Sequence, residues 1–185
     1  MLKKMRGFTL IELLIVVAII GILAALLIPN ALEAIQKAKQ KSAMKEIMVV
    51  STAAVDYITD HGDWTGVSQN GPLVAANPFM TGVAGFYVKV IPVNDPWNTP
   101  YQAYCGKTAV QAGISAAIDA GEDDFAMTCW GRDKGEGPIG QINYTTSAPE
   151  GGRYNVSKMG DFDNDLVAWN GSWVVGPSTT LIAGS

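Results

Sequence analysis

Residue types that would mark an enzyme, a disulfide-built scaffold or a nucleic-acid binder are scarce in this sequence. Its 185 residues include two cysteines and one histidine, and only 16% of them are charged. Two cysteines are too few for a fold held together by disulfides, and no Ser or Cys is arranged around His61 in a nucleophilic pattern. With 17 acidic residues against 13 basic ones, the chain also lacks the clustered positive charge that phosphate contacts need. We therefore expect neither catalysis nor direct binding of nucleic acid, and we interpret His61 as a solvated residue at a helix end.

The charges that are present are unevenly distributed. Residues 1–50 carry seven basic and three acidic side chains, whereas residues 51–185 carry six and fourteen. From Phe8 to Ile28 runs an apolar block of 21 residues whose sole charge is Glu12. As a helix this block is about 30 Å long, the thickness of a bilayer's hydrocarbon core. Three basic residues precede it, which predicts a cytoplasmic N-terminus.

The apolar block has three interpretations. It is a cleaved secretory signal with small residues at Ala24-Ala25, a plain membrane anchor, or a helix whose one charge has a function. A carboxylate near the bilayer centre costs about 2.5–3.5 kcal/mol on insertion scales, so the first two interpretations favour Leu at position 12. Cleavage after Gly7 would create an α-amino group on Phe8, one helical turn before Glu12.

The segment from Lys3 to Glu12, KKMRGFTLIE, resembles the class III signal of type IV pilins and type II secretion pseudopilins, and the match continues to Pro29. The resemblance implies that a prepilin peptidase cuts after Gly7, N-methylates Phe8 and leaves the helix in the mature protein. It further implies that the carboxylate of Glu12 pairs with the Phe8 amine of a neighbouring subunit during filament assembly.

The same resemblance implies a location and a set of partners. The subunit would first cross the inner membrane once, with its head in the periplasm, and would then polymerise with copies of itself into a periplasmic pseudopilus or an extracellular pilus. The peptidase, an assembly platform protein, a motor ATPase and other pseudopilins or pilins would be separate chains. Two alternatives stay open: a type IV pilin for adhesion, motility or DNA uptake, and a membrane-anchored periplasmic binding module, which needs neither the Gly7–Phe8 junction nor Glu12.

Helix periodicity continues beyond the apolar block. Apolar residues recur at steps of three and four, which predicts a stripe that packs on the chain's own head; they are Ala43, Ile47, Val50, Ala54 and Ile58. Pro29 removes a backbone donor and predicts a kink or local melting of the helix. We expect a cleaved leader at residues 1–7, a helix at 8–60 with its transmembrane and assembly segment at 8–28, and a globular head at 61–185.

The sequence pattern of the head predicts a small β-structure. Short apolar runs broken by Gly, Pro and Asn predict strands at Phe86–Ile91, Phe125–Trp130 and Leu166–Trp169, and a weaker one at Tyr101–Tyr104. Short strands that follow one long helix predict an α+β class, with a small antiparallel sheet packed on that helix. This is the pilin fold that the resemblance implies.

The run from Asp95 to Tyr101, DPWNTPY, predicts a rigid turn anchored by Trp97 and Tyr101. It resembles the Asp-Pro-Trp-Gly-x-Pro-Tyr turn of the G-type major pseudopilins. Asn98 stands where that family has Gly, and Asn is the next-best residue for a positive φ.

Alternating carboxylates at Asp161, Asp163 and Asp165 offer the hard oxygen ligands that calcium requires. We do not expect an EF-hand, because its invariant Gly is Leu166 here and its twelfth position is a serine. The resemblance to G-type pseudopilins implies a calcium site that also uses Asp133, although the segment between Asp133 and Asp161 is longer than that family suggests. The alternative is a solvated acidic turn. With calcium bound, we expect higher thermal stability, and we expect Asp163→Ala to abolish the gain.

Cys105 and Cys129 adjoin predicted strands in the part of the chain that the topology places outside the cytoplasm. An oxidised pair is the expected state there. A disulfide that closes this loop would stabilise the head by about 3–4 kcal/mol in the chain-entropy model.

Overall fold

The structure of the protein is a computed structural model that describes residues 8–75, 77–112, 120–137 and 149–178. The chain divides into two compact units, Met1–Gln36 and Lys37–Ser185. Helix α1 (Leu10–His61) contributes to both units, and the second unit contains the β-sheet and is called the head below.

Within the head, α1 buries the predicted apolar stripe. Ala43, Ile47, Val50 and Ala54 have no exposed surface, which confirms the 3.6-residue periodicity. The helix ends at His61, where Gly62 adopts φ +83° and its N–H donates to the carbonyl of Ile58 at 2.8 Å. A positive φ just past the last turn is the usual helix stop that glycine provides.

Pro29 lies inside α1 without interrupting it. Its missing N–H leaves the carbonyl of Ala25 without the usual helical donor. Nearby, Nδ2 of Asn30 donates to the carbonyl of Leu26 at 3.5 Å. The alternative of local melting at Pro29 is therefore wrong for this state of the chain, whereas a bend there stays a prediction.

Six strands form one sheet in the part of the chain that the structure describes. All neighbouring pairs are antiparallel except the last, β6–β4, which is parallel. In spatial order the strands are β1 (Asn70–Pro72), β2 (Gln102–Cys105), β3 (Phe125–Cys129), β5 (Leu166–Trp169), β6 (Ser172–Pro177) and β4 (Arg153–Tyr154). The α+β class with a largely antiparallel sheet on a long helix is thus confirmed as the pilin fold.

Three of the four predicted strands are confirmed as β2, β3 and β5, but the strand at Phe86–Ile91 is wrong. That segment is a turn: Gly85 adopts φ +94°, and its N–H donates to the carbonyl of Val88 at 2.7 Å. Backbone groups that bond each other across a turn cannot join a sheet ladder.

The core lies between α1, the sheet and the short helix α2 (Pro78–Val83). Asn77 caps α2 by accepting the N–H of Met80 at 2.7 Å. Phe79 of α2 stacks on Phe125 of β3, with ring centroids 5.3 Å apart. Burial of side chains of this size stabilises by about 1.5–3 kcal/mol each.

Polar contacts also hold α1 to the rest of the head. The hydroxyl of Tyr101 donates to Oε2 of Glu46 at 2.7 Å, and the hydroxyl of Tyr87 donates to Oδ2 of Asp60 at 2.8 Å. These bonds join residues far apart in the sequence, so they fix the loops on the helix surface.

Candidate functional site

The apolar segment of α1 has no partner within the first unit. Every large hydrophobic side chain between Leu10 and Ile28 is between 44% and 81% exposed. The segment is long and apolar enough to cross a membrane. Such a continuous apolar surface requires a bilayer or other protein chains to cover it.

Glu12 closes a capping box with Thr9 at the start of α1. The backbone N–H and the hydroxyl of Thr9 both donate to Oε2 of Glu12, at 2.8 Å and 2.6 Å, and the N–H of Glu12 faces Oγ1 of Thr9 at 3.3 Å. The spacing Thr-x-x-Glu is the sequence signature of this motif. Sequence reasoning placed the charge at position 12 but missed Thr9, which that signature could have identified.

The processing residues are described only in part. Phe8 is 74% exposed and lies two residues before the start of α1 at Leu10. Gly7 lies outside the described residues, so cleavage after it and methylation of Phe8 stay predictions.

The turn from Asp95 to Tyr101 has the predicted form. Oδ1 of Asp95 accepts the N–H groups of Trp97 and Thr99, both at 2.9 Å. Asn98 adopts φ +66°, as its substitution for glycine predicts. Trp97 and Tyr101 are 6% and 0% exposed, so both anchors lie in the core.

The predicted disulfide between Cys105 and Cys129 is wrong, because both cysteines are free and buried. In the β2–β3 ladder, Cys105 lies opposite Phe125, four residues before Cys129. Four residues along a strand span about 13 Å, whereas the Cα atoms of a disulfide lie within about 7 Å. Sγ of Cys129 instead donates to Oδ2 of Asp95 at 3.1 Å.

All four predicted calcium ligands have hydrogen-bond partners, and Oδ1 of Asp133 accepts the N–H of Gly135 at 3.2 Å. Oδ2 of Asp161 accepts the N–H groups of Ser157 and Lys158 at 2.7 Å and 2.9 Å. These bonds lower the pKa of Asp161, and the bond from Ser157 contributes most. Asp163 forms a two-point ion pair with Arg132, at 2.7 Å to Nε and 3.0 Å to Nη2. The predicted convergence of all four carboxylates is therefore wrong for the residues that the structure describes, among which no group of three or more His, Cys, Asp or Glu could hold a metal ion.

Asp165 differs from the other predicted ligands because its unpartnered oxygen is buried. The residue is 1% exposed; Oδ2 accepts the N–H of Gly137 at 3.0 Å, whereas Oδ1 has no hydrogen-bond partner. Burial raises the pKa of Asp165 to about 7, and the charges of Asp133 and Glu136 add to the rise. Asp133 thus acts electrostatically on Asp165, whereas its role as a calcium ligand stays a prediction. Glu136 is a neighbour that sequence reasoning missed.

An exposed apolar helix with a capped carboxylate at its start, joined to a β-sheet head that packs on the same helix, defines a pilin-like subunit. The family model described as the prokaryotic N-terminal methylation motif matches residues 2–28. The chain belongs to the type II secretion system core protein G family. No solved structure matches the chain.

The relatives that support this membership carry the same name, type II secretion system core protein G. The protein from Vibrio cholerae is 32% identical over 74% of this chain and 90% of its own length. The protein from Escherichia coli K12 is 31% identical over 71% of this chain and 94% of its own length. That from Pseudomonas aeruginosa is 28% identical over 88% of this chain and 98% of its own length.

Proposed function

We propose that this chain is a structural subunit of a type II secretion pseudopilus that polymerises through α1. The observation that carries the proposal is the exposed apolar segment from Leu10 to Ile28 in a member of the core protein G family. One copy cannot bury this segment, whereas a bilayer covers it before assembly and neighbouring helices cover it afterwards. Inner-membrane anchoring by α1 fits the methylation motif.

The finer topology and processing are part of the same proposal. The N-terminus is cytoplasmic and the head periplasmic, an orientation supported by the basic residues that precede the apolar segment. A prepilin peptidase cuts after Gly7 and N-methylates Phe8. An assembly platform protein and other pseudopilins are the further partners. We expect no catalytic activity.

In this proposal Glu12 stabilises the assembled filament relative to the lone subunit. Its Oε2 is held by Thr9, and Oε1 accepts no hydrogen bond from the described residues. A neighbour's Phe8 amine could therefore approach Oε1 without breaking the capping box. An ion pair in an apolar surrounding offsets the desolvation of both charges, so pairing favours the filament over the lone subunit.

We further propose that calcium binds at Asp165. The residues fit a cation in one respect, because a buried carboxylate oxygen lacks a partner while Asp133 and Glu136 add negative charge nearby. Calcium prefers such hard oxygen ligands. Asp133 and Asp165 would hold it, whereas Asp161 and Asp163 keep their present partners.

The test of the function is assembly by the full chain in its own cell. Surface filaments sheared from cells that overproduce the subunit should consist of this chain, with mass spectrometry showing an N-methylated Phe8 as the first residue. A subunit that is cleaved and methylated but stays monomeric in the membrane would instead support the binding module and would contradict the proposal.

A further inference from the structure

The solvent-facing side of α1 in the head carries segregated charge. Lys41 and Lys45 are exposed, Val49 is 54% exposed, and Asp56 and Asp60 are exposed. At 3.6 residues per turn these five positions fall within an arc of about 100°. We call this set the α1 stripe: it is basic at its start, apolar at Val49 and acidic at its end.

The lysines of the α1 stripe form no ion pair with the residues that the structure describes. The ion pairs Lys107–Glu122 and Arg132–Asp163 lie elsewhere in the head. A helix that placed Lys and Asp three or four residues apart would satisfy these charges internally. Here the last lysine and the first aspartate of the stripe, Lys45 and Asp56, are eleven positions apart, so neither sign is neutralised within the stripe.

The acidic end of the stripe adjoins an exposed apolar tip, the turn at residues 85–90. Phe86 and Val90 are 84% and 70% exposed. The turn is held on the helix by the hydrogen bond from Tyr87 to Asp60, and the ring of Tyr87 lies edge-on to Tyr57 with centroids 5.6 Å apart. Lys89 also lies on the tip, but Asp56 and Asp60 outnumber it.

These features suit parallel copies of the same helix only when the copies are shifted along the axis. Parallel copies at one level place lysine beside lysine and aspartate beside aspartate, which is repulsive. A shift brings the basic end of one copy opposite the acidic end of another. It also brings Val49 near the tip, which would cover apolar surface that is otherwise exposed.

We infer that the basic end of the α1 stripe, with Val49, docks on the acidic end and the tip of another copy of this chain, and that this contact sets the axial stagger of subunits in the filament. The inference rests on the proposed function, because it requires parallel copies in one assembly. Charge complementarity within a single helix face is the observation that selects a second copy as the occupant.

Charge reversal with rescue tests the contact in the full chain. Lys45→Glu and Asp56→Lys should each lower the yield of sheared filaments about fivefold, and the double variant should restore most of the wild-type yield. Lys158→Glu reverses an exposed lysine outside the stripe and should leave the yield unchanged. The amount of membrane-inserted subunit and the protease resistance of its head show whether each variant folds.

Cross-linking supplies an independent test. A chain with Val49→Cys and Val90→Cys should form ladders of covalently linked copies on oxidation, because the two positions meet across the contact. The native thiols are 5% and 1% exposed and should contribute little background. A chain with Val49→Cys and Val110→Cys is the matched control, since Val110 is also exposed but lies outside the stripe and the tip.

The outcomes separate the inference from the function on which it rests. If the wild type forms filaments but the double variant does not restore the yield, the contact is wrong and the proposed function stands. The same holds if the chain with Val49→Cys and Val90→Cys cross-links no more than its control. If Lys45→Glu weakens binding to anionic vesicles but leaves the filament yield unchanged, the basic end contacts lipid and the inferred contact between copies is wrong. Absence of wild-type filaments would overturn both.

Discussion

Sγ of Cys129 donates a hydrogen bond to Oδ2 of Asp95 at 3.1 Å, and this contact joins the end of β3 to the turn at residues 95–101. Asp95 is 6% exposed, and its other oxygen accepts two backbone N–H groups of the same turn. The thiol therefore supplies a hydrogen-bond donor to the second oxygen of a buried carboxylate. Oxidation to a disulfide would remove that donor, so this hydrogen bond requires the reduced thiol.

Both thiols should be protected in the native chain and available after unfolding. Burial raises the pKa of Cys105 to about 12, and the thiolate is the reactive form. Alkylation in non-reducing buffer should label neither cysteine before denaturation and both after it. A mass that lacks two hydrogens, with no labelling after denaturation, would show a disulfide and contradict the structure.

Asp95→Ala should destabilise the head by about 2–4 kcal/mol, because it removes the carboxylate that accepts from buried donors of Trp97, Thr99 and Cys129. Asp95→Asn keeps one acceptor oxygen and should cost less. Denaturant unfolding of the full chain in detergent, followed by tryptophan fluorescence, measures the difference. Equal stability of the two variants would show that the side-chain acceptor is unimportant.

Asn98 should tolerate glycine but not a β-branched residue. Its φ of +66° is accessible to Gly and Asn, whereas other L-residues pay about 1–2 kcal/mol there. We expect Asn98→Gly to match or exceed the wild-type unfolding free energy and Asn98→Val to fall below it by about that amount. A Val variant as stable as the Gly variant would refute the conformational argument.

Local patterns explain which features were predictable. The apolar block is one continuous run, and the buried apolar residues of α1 recur at steps of three and four. The positive φ of Asn98 follows from its place in a short turn. The failures involve distant partners: Arg132 pairs with Asp163, and Tyr87 is held by Asp60. The apolar run at Phe86–Ile91 looked like a strand because no local signal showed that tertiary contact. The cysteine pairing failed because it depends on strand register, which spacing in the sequence does not determine.

Calcium should raise the melting temperature of the full chain in detergent, and Asp165→Asn should abolish the gain. Binding to the folded state alone stabilises it by mass action, and the variant removes the buried charge whose Oδ1 has no partner. The structure revises the expectation for Asp163→Ala, which should destabilise with or without calcium through loss of its pair with Arg132. Asp161→Asn is the control that should keep the calcium response. Identical melting of the wild type in calcium and in chelator would exclude the site.

Glu12→Ala should sharply reduce filament yield while membrane insertion and cleavage stay intact. Insertion depends on the apolar segment, which loses an unfavourable charge in the variant. Glu12→Gln retains the size of the side chain and an acceptor oxygen for Thr9, but it lacks the negative charge that a neighbour's Phe8 amine requires. It should therefore fail in assembly as well, which separates loss of charge from loss of the helix cap.

Thr9 supplies the complementary comparison at the same helix start. Thr9→Ser retains the hydroxyl that donates to Oε2 of Glu12 and should assemble at near wild-type yield. Thr9→Val removes that donor while keeping the charge, so we expect a smaller loss than in Glu12→Gln, because a cap is worth about 1 kcal/mol. Sheared filaments and the methylated N-terminus, measured together for each variant, distinguish assembly from processing. Normal filament yield from Glu12→Ala would eliminate the pairing with Phe8, whatever the Thr9 variants do.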